Sequence, residues 1–213
     1  MRIVRFLIDI VVGSLAGVIA LPLAWLTLQW AWNTRTGQPV DDGAIVIGLL
    51  VGILFLCWRR PNLLLHTWLH ETAHALMCVL LWVRVGSMSA SAGQGGEIRH
   101  APTGPIRTTA ILIAPYILPL LAGPVLVVRY FCDAGWLRLG LSGLCGFVLI
   151  LHLSDLWLNV RLNAFSRDAD IPRVGHVLSV TLIVASLLLL AAAAVVVLHS
   201  QQSPAWWRGL FAA

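Results

Sequence analysis

An all-α membrane protein, a polytopic bundle of about six transmembrane helices with a short β-hairpin or loop after the third, is the fold class this sequence predicts. Three observations predict it. Hydrophobic residues make up 59% of the 213 and charged residues only 11%, with a mean hydropathy of +0.89, values far from those of soluble domains. The apolar residues are gathered into stretches of the length that crosses a bilayer. No soluble domain interrupts them.

In chain order the stretches run from Phe6 to Trp32, Ala44 to Trp58, Leu63 to Val83, Thr108 to Phe131, Trp136 to Val160 and Val174 to Leu198. The first follows Arg2 and Arg5 and lacks the small-residue cleavage pattern of a removed signal, so it reads as a retained helix with a cytoplasmic N terminus. The second has 15 residues, about 22 Å of helix against a hydrocarbon core of roughly 30 Å, and reads as upright or re-entrant. Between the third and fourth stretches, "GSMSASAGQGGEIRH" within Arg84 to Arg107 has the small, alternating residues of a surface β-hairpin or loop. Pro115, Pro119 and Pro124 in the fourth suit kinks, which open space inside a bundle. The last is a Leu, Ala and Val run. Beyond it "SPAWWRGLF" reads as an interfacial anchor. Trp30, Trp32, Trp58, Trp82 and Trp136 lie near stretch ends, where an indole touches both headgroups and acyl chains.

The charged residues bound the function classes. All fourteen cationic side chains are arginine; with a cytoplasmic N terminus and six spans they divide evenly between the two sides, so they do not set the orientation. A net charge of +5 and a pI near 9.7 fit contact with anionic headgroups of the lipid bilayer. The scattered arginines form no nucleic-acid stripe, and no nucleic-acid partner is implied. Cys57, Cys78, Cys132 and Cys145 have no CxxC spacing and read as small buried hydrophobes. His152 and His176 read as core or interface histidines.

The third stretch is different. "LHTWLHETAHALM", Leu65 to Met77, sets His66, His70, Glu71 and His74 in an apolar helix, where an ionisable group at mid-bilayer costs on the order of 3 kcal/mol unless paired or facing a cavity. His70 and His74, four apart, share a helix face and can reach one ion, with Glu71 beside them: the HExxH arrangement. Zinc suits two imidazoles and a third protein ligand, leaving one position for a water whose pKa falls to about 7, and Glu71 is then the general base. With 7 histidines and 2 glutamates in 213 residues, chance predicts roughly 0.002 such motifs. His66 continues the stripe one turn earlier and reads as an outer or cavity-facing residue.

HExxH in a hydrophobic helix of a multi-span chain resembles the site-2 protease family of intramembrane zinc metalloproteases. "HETAHALMCVLLWVRVGSMSASAGQGGEIRH" is similar to the family's motif helix and Gly-rich hairpin, and "LIAPYILPLLAGP" resembles the proline-rich span of some bacterial members. The resemblance covers about Leu63 to Leu198. It divides the chain into accessory helices over 1–61, a metalloprotease core over 62–199 and an interfacial tail over 200–213. It implies one zinc per chain, a transmembrane protein as substrate, cleavage of that substrate in or near its membrane segment, and a bacterial cell membrane as the location. The substrate helix must unwind, since a hydrogen-bonded helix does not present its carbonyls, and an edge strand within Ser87 to His100 is a candidate to capture it.

The family's third ligand is a downstream Asp in a pattern like NxxPxxxxDG, from which this chain departs: no DG occurs and no proline stands at that spacing. The choice lies among Asp155, Asp168 and Asp170. Asp170 is preferred, because "DIPRVG" opens the final helix as the family's ligand does, whereas Asp155 lies mid-span. Asn159 and Asn163 resemble the family's upstream Asn, an oxyanion or backbone support. Two rival functions are a catalytically silent relative that binds a membrane partner, for which the intact Glu71 is unfavourable, and a metal or proton transporter, for which polar residues would be strung along several helices. No PDZ or CBS-like appendage is recognisable.

Overall fold

The structure is a computed structural model and describes residues 2–34, 39–59, 62–91, 95–132, 135–165 and 169–199. Its elements are α1 (Arg2–Thr34), α2 (Pro39–Trp58), α3 (Leu63–Leu80), β1 (Val85–Ser91), β2 (Gly95–His100), α4 (Pro105–Ile117), α5 (Ala122–Tyr130), α6 (Gly135–Asn163), α7 (Asp170–Val174) and α8 (His176–His199). The polar stretch after the motif helix is a hairpin: β1 and β2 pair antiparallel from Val85↔His100 to Ser91↔Gly95, with Gly86 as an extra residue in the register. The expected C-terminal anchor and Asp168 lie outside the described residues.

Among the described residues four helices are long and apolar enough to cross a membrane, Ile10–Asn33, Asp41–Trp58, Gly135–Asn163 and His176–Leu198, and five if the interrupted pair Pro105–Ile117 and Ala122–Tyr130 forms one span. The chain is thus a multi-pass membrane protein by its helices, and these helices do not confirm the count of about six. The motif helix α3 drops out because four of its 18 residues are the histidines and the glutamate, which dilute its hydropathy. The Thr108 to Phe131 stretch is two helices rather than one. Pro119 forces its predecessor Leu118 into extended backbone (φ −87, ψ 117), and α4 ends there. The second stretch, by contrast, is longer than its apolar residues suggested. α2 begins at Pro39 and takes Asp41 and Asp42 into its first turn, where proline and acidic side chains both suit a helix start. Its 20 residues make about 30 Å, enough to span without being re-entrant.

The chain divides into two compact units, one of Met1–Leu21, Arg60–Leu120 and Ser154–Ser186, the other of Pro22–Arg59, Leu121–Leu153 and Leu187–Ala213. In the first, Asn62 caps α3 by accepting from the Leu65 amide at 3.1 Å. At the other end Trp82 takes a left-handed φ of 56. The Val83 amide then reaches back to the Cys78 carbonyl and the Trp82 amide to that of Val79, the paired bonds of a Schellman stop. Val83 and Cys78 pack together with Ile111 of α4, and this apolar contact turns the chain into β1. α3 packs against α4 and both strands, and α4 packs against α7. The motif helix is therefore enclosed by the hairpin, α4 and the segment that precedes α8.

The second unit is held by close backbone packing and by a buried ion cluster. A Cβ at Gly48 of α2 would collide with the Gly143 backbone of α6, so glycine at position 48 lets these helices touch. Asp41 Oδ2 accepts from Arg138 Nε at 3.0 Å and Nη2 at 2.8 Å and from Arg129 Nη2 at 3.3 Å, while Arg129 Nε donates to Ser142 Oγ at 2.8 Å. Asp41, Arg129 and Ser142 are buried. Removing one partner of such a cluster leaves charge stranded, at a cost of about 3–5 kcal/mol. Asp41→Ala should lower the unfolding free energy in detergent by that amount, and an unchanged denaturation midpoint would show that the cluster contributes nothing.

Candidate metal centre

The four-residue repeat of α3 stacks His66, His70 and His74 along one face, with Glu71 one position round. Each ring nearest the centre is tied back by its Nδ1. His74 Nδ1 lies 2.6 Å from the Ile111 carbonyl of α4, an acceptor only, so it is His74 Nδ1–H that donates. His70 Nδ1 lies 2.6 Å from Asn159 Oδ1 of α6 and donates likewise. Both Nε2 atoms are left with a lone pair facing inward, 3.1 Å apart. Asp170, the first residue of α7, brings Oδ2 to 3.2 Å from His70 Nε2 and 3.4 Å from His74 Nε2.

Three acceptor atoms at one point repel one another unless a cation lies among them. Two imidazole nitrogens and a carboxylate oxygen are a zinc donor set. Ligand bonds of about 2.0–2.1 Å in a tetrahedron separate donor atoms by roughly 3.3–3.4 Å, and the three edges here, 3.1, 3.2 and 3.4 Å, match. The residues present therefore fit the metal by number, type and spacing, and His70, His74 and Asp170 form the one such group among the described residues.

The other acidic candidate does not join them. Asp155 sits one turn away along α6, with Oδ1 2.6 Å from His66 Nδ1 and Oδ2 accepting from Asn159 Nδ2 at 3.3 Å. Asn159 is fully buried and faces His70. Asn163 donates to the Asn159 main-chain carbonyl at 3.1 Å. Tyr116 of α4 stands its ring edge-on to His70, centroids 6.0 Å apart, and its enclosed hydroxyl lies beside Asp170 and Asn163 without a well-formed hydrogen bond. His152 is buried, and His176 Nε2 lies 2.9 Å from the Ala164 carbonyl.

A cavity of about 540 Å³ opens over the three acceptors, lined by the α3 histidines and Glu71, by Gly95 to Ile98 of β2, and by Asn163, Asp170 and Arg173. Glu71 is buried at 5% exposure and packs under β2. A Cβ built at Gly96 would stand 2.5 Å from Glu71 Cγ and Oε1. Only glycine lets the strand lie this close to the carboxylate. Gly96 and Tyr116 were not legible as site residues: one is a glycine in a Gly-rich turn, the other a tyrosine in an apolar span. Asp155 and His66 did carry a signal, for both stand four residues before a partner of the centre, on α6 and on α3.

A family model described as Peptidase M50B-like matches residues 43–167, a stretch that contains His70, Glu71, His74, Asp155, Asn159 and Asn163 and ends short of Asp170. No curated protein and no solved structure matches the chain. The match spans more than half of the sequence and takes in the whole motif helix, so the chain belongs to the Peptidase M50B-like family and is a relative of the site-2 proteases.

Proposed function

We propose that the protein is a zinc metalloprotease that hydrolyses peptide bonds in or near the transmembrane segments of membrane-protein substrates. The observation that carries the reading is the convergence of His70 Nε2, His74 Nε2 and Asp170 Oδ2 on one point with Glu71 beside it in the same cavity. Those three residues would hold the ion. When bound, zinc supplies a Lewis acid that acidifies water and polarises a carbonyl. Glu71 accepts the proton of the attacking water and returns it to the amide nitrogen that leaves, so the carboxylate ends the cycle unchanged. β2 lines the cavity and, among the described residues, pairs on one side only, with β1. Its other edge offers main-chain donors and acceptors to an unwound substrate segment, which must replace the hydrogen bonds of its lost helix. A bacterial cell membrane is the location we assign to it.

The test is a comparison of membrane proteomes from cells that carry the wild-type chain or Glu71→Gln. Membrane proteins that accumulate uncut with the variant and gain a new terminus at membrane depth with the wild type would support the reading; identical proteomes would leave a catalytically silent relative as the better description.

Gly96→Ala gives a finer check. The added methyl must displace either β2 or the Glu71 carboxylate, and misplacement of a catalytic group by about 1 Å costs on the order of 100-fold. We expect kcat to fall by about that factor with the zinc content unchanged, because the atoms that a Cβ at Gly96 would meet first all belong to Glu71. Full activity in Gly96→Ala would mean that the strand does not set the position of Glu71.

A further inference from the structure

We infer that Asn159 is a positioning residue for His70: its side-chain oxygen holds the imidazole with the proton on Nδ1, and Asp155, itself gripped by His66, keeps the Asn159 amide that way round. The inference rests on the metal-centre reading above.

The side chains form one ladder between two helices. His66 and His70 are four apart on α3, Asp155 and Asn159 four apart on α6, and each histidine meets the residue opposite at 2.6 Å. An asparagine amide can turn either end toward a histidine, and which end it turns decides the tautomer. If the oxygen faces Nδ1, the ring carries Nδ1–H and Nε2 is a bare ligand. If the NH2 faces Nδ1, the proton moves to Nε2 and the ring cannot bind the ion. The Asp155 carboxylate removes the choice. It only accepts, and with Oδ1 taken by His66 its Oδ2 faces Asn159 at 3.3 Å, so the Asn159 NH2 must point to Asp155 and the oxygen to His70. Asn159 is wholly buried, which shields both ends of the amide from bulk solvent. The Asn163 bond to the Asn159 carbonyl fixes the turn that carries it. Outer partners of this kind orient a metal-binding histidine and raise its basicity.

The test measures zinc affinity of the full-length protein in detergent by competition with a chelator. Asn159→Leu, nearly the same volume without the acceptor, should weaken binding about 10- to 100-fold. Asn159→Asp still accepts from His70 but sets a second carboxylate against Asp155, and it too should lose affinity or fail to fold. Adding Asp155→Asn to Asn159→Asp exchanges the amide and the carboxylate, restores every bond of the ladder, and should return affinity to the wild-type value. A purely structural role for Asn159 gives no such rescue. Wild-type affinity in Asn159→Leu, or a double variant no better than Asn159→Asp, overturns the proposal. A second readout does not depend on zinc. In metal-free protein the histidine 15N spectrum should place a proton on His70 Nδ1, and a bare Nδ1 there overturns the ladder whatever the affinity. If the wild-type chain takes up no zinc while Nδ1 is protonated, the metal reading fails and the ladder stands.

Discussion

Alanine in place of His70 or His74 should leave the purified protein almost free of zinc, where the wild-type chain should hold one ion. The two Nε2 atoms and Asp170 Oδ2 are the donor set of the candidate centre, and zinc held by fewer than three protein ligands falls outside the pattern of catalytic sites. The size of the effect follows from the affinity of complete sites. Four-ligand zinc sites bind with an apparent 10–16 kcal/mol at neutral pH, roughly 2.5–4 kcal/mol per ligand, so one lost ligand costs on the order of 100- to 1,000-fold. Asp170→Ala belongs to the same class, because it removes the carboxylate that converges with the two rings among the described residues and takes away its charge from beside the cation. Asp155→Ala should cost much less, since Asp155 acts through Asn159 and His70 and touches no shared point. Metal analysis after dialysis against a buffered zinc concentration orders the four variants. Stoichiometric zinc in either His→Ala protein would remove the site, and a larger loss in Asp155→Ala than in Asp170→Ala would move the third ligand to α6.

How much of this was legible in the sequence depended on the range of the interaction. The His70, Glu71 and His74 cluster is a statement about one helix turn, and helical periodicity alone brings those side chains to one face. The hairpin followed from equally local facts, the small alternating residues around Gly95 and Gly96. The preference for Asp170 over Asp155 came from its place just before α8, where a short turn of helix can aim a carboxylate sideways; a mid-span position on α6 cannot be judged without its neighbours. Those neighbours are what sequence does not give. His66 and Asp155 stand 89 residues apart, and only the packing of α3 on α6 explains why the fifth stretch tolerates a carboxylate. Hydropathy alone misjudges a helix where polar residues serve it instead of ending it. Asp41 and Asp42 begin α2 rather than precede it, and the motif residues of α3 are compensated by partners on α4, α6 and α7 that hydropathy does not see.

Glu71→Gln should abolish cleavage while the protein keeps its zinc and its fold. The amide has the size and shape of the carboxylate it replaces, so β2 can still lie against it at Gly96, where no larger residue fits. None of the three converging acceptors belongs to Glu71, and metal content is therefore unaffected. What disappears is the base. An uncharged amide neither takes a proton from water nor passes one to a leaving nitrogen, two tasks for which a positioned carboxylate contributes about 100- to 10,000-fold. The assay is turnover of a model transmembrane substrate in lipid vesicles, with zinc measured on the same samples. A loss of kcat of at least about 100-fold at full zinc occupancy is the expected result. Loss of zinc in parallel would mean that Glu71 helps to bind the ion, and the division of roles between α3 and α7 would have to be redrawn. Undiminished turnover at full occupancy would reject Glu71 as the base, and the proton would then need another acceptor in the cavity, which His66 of the same helix face also lines.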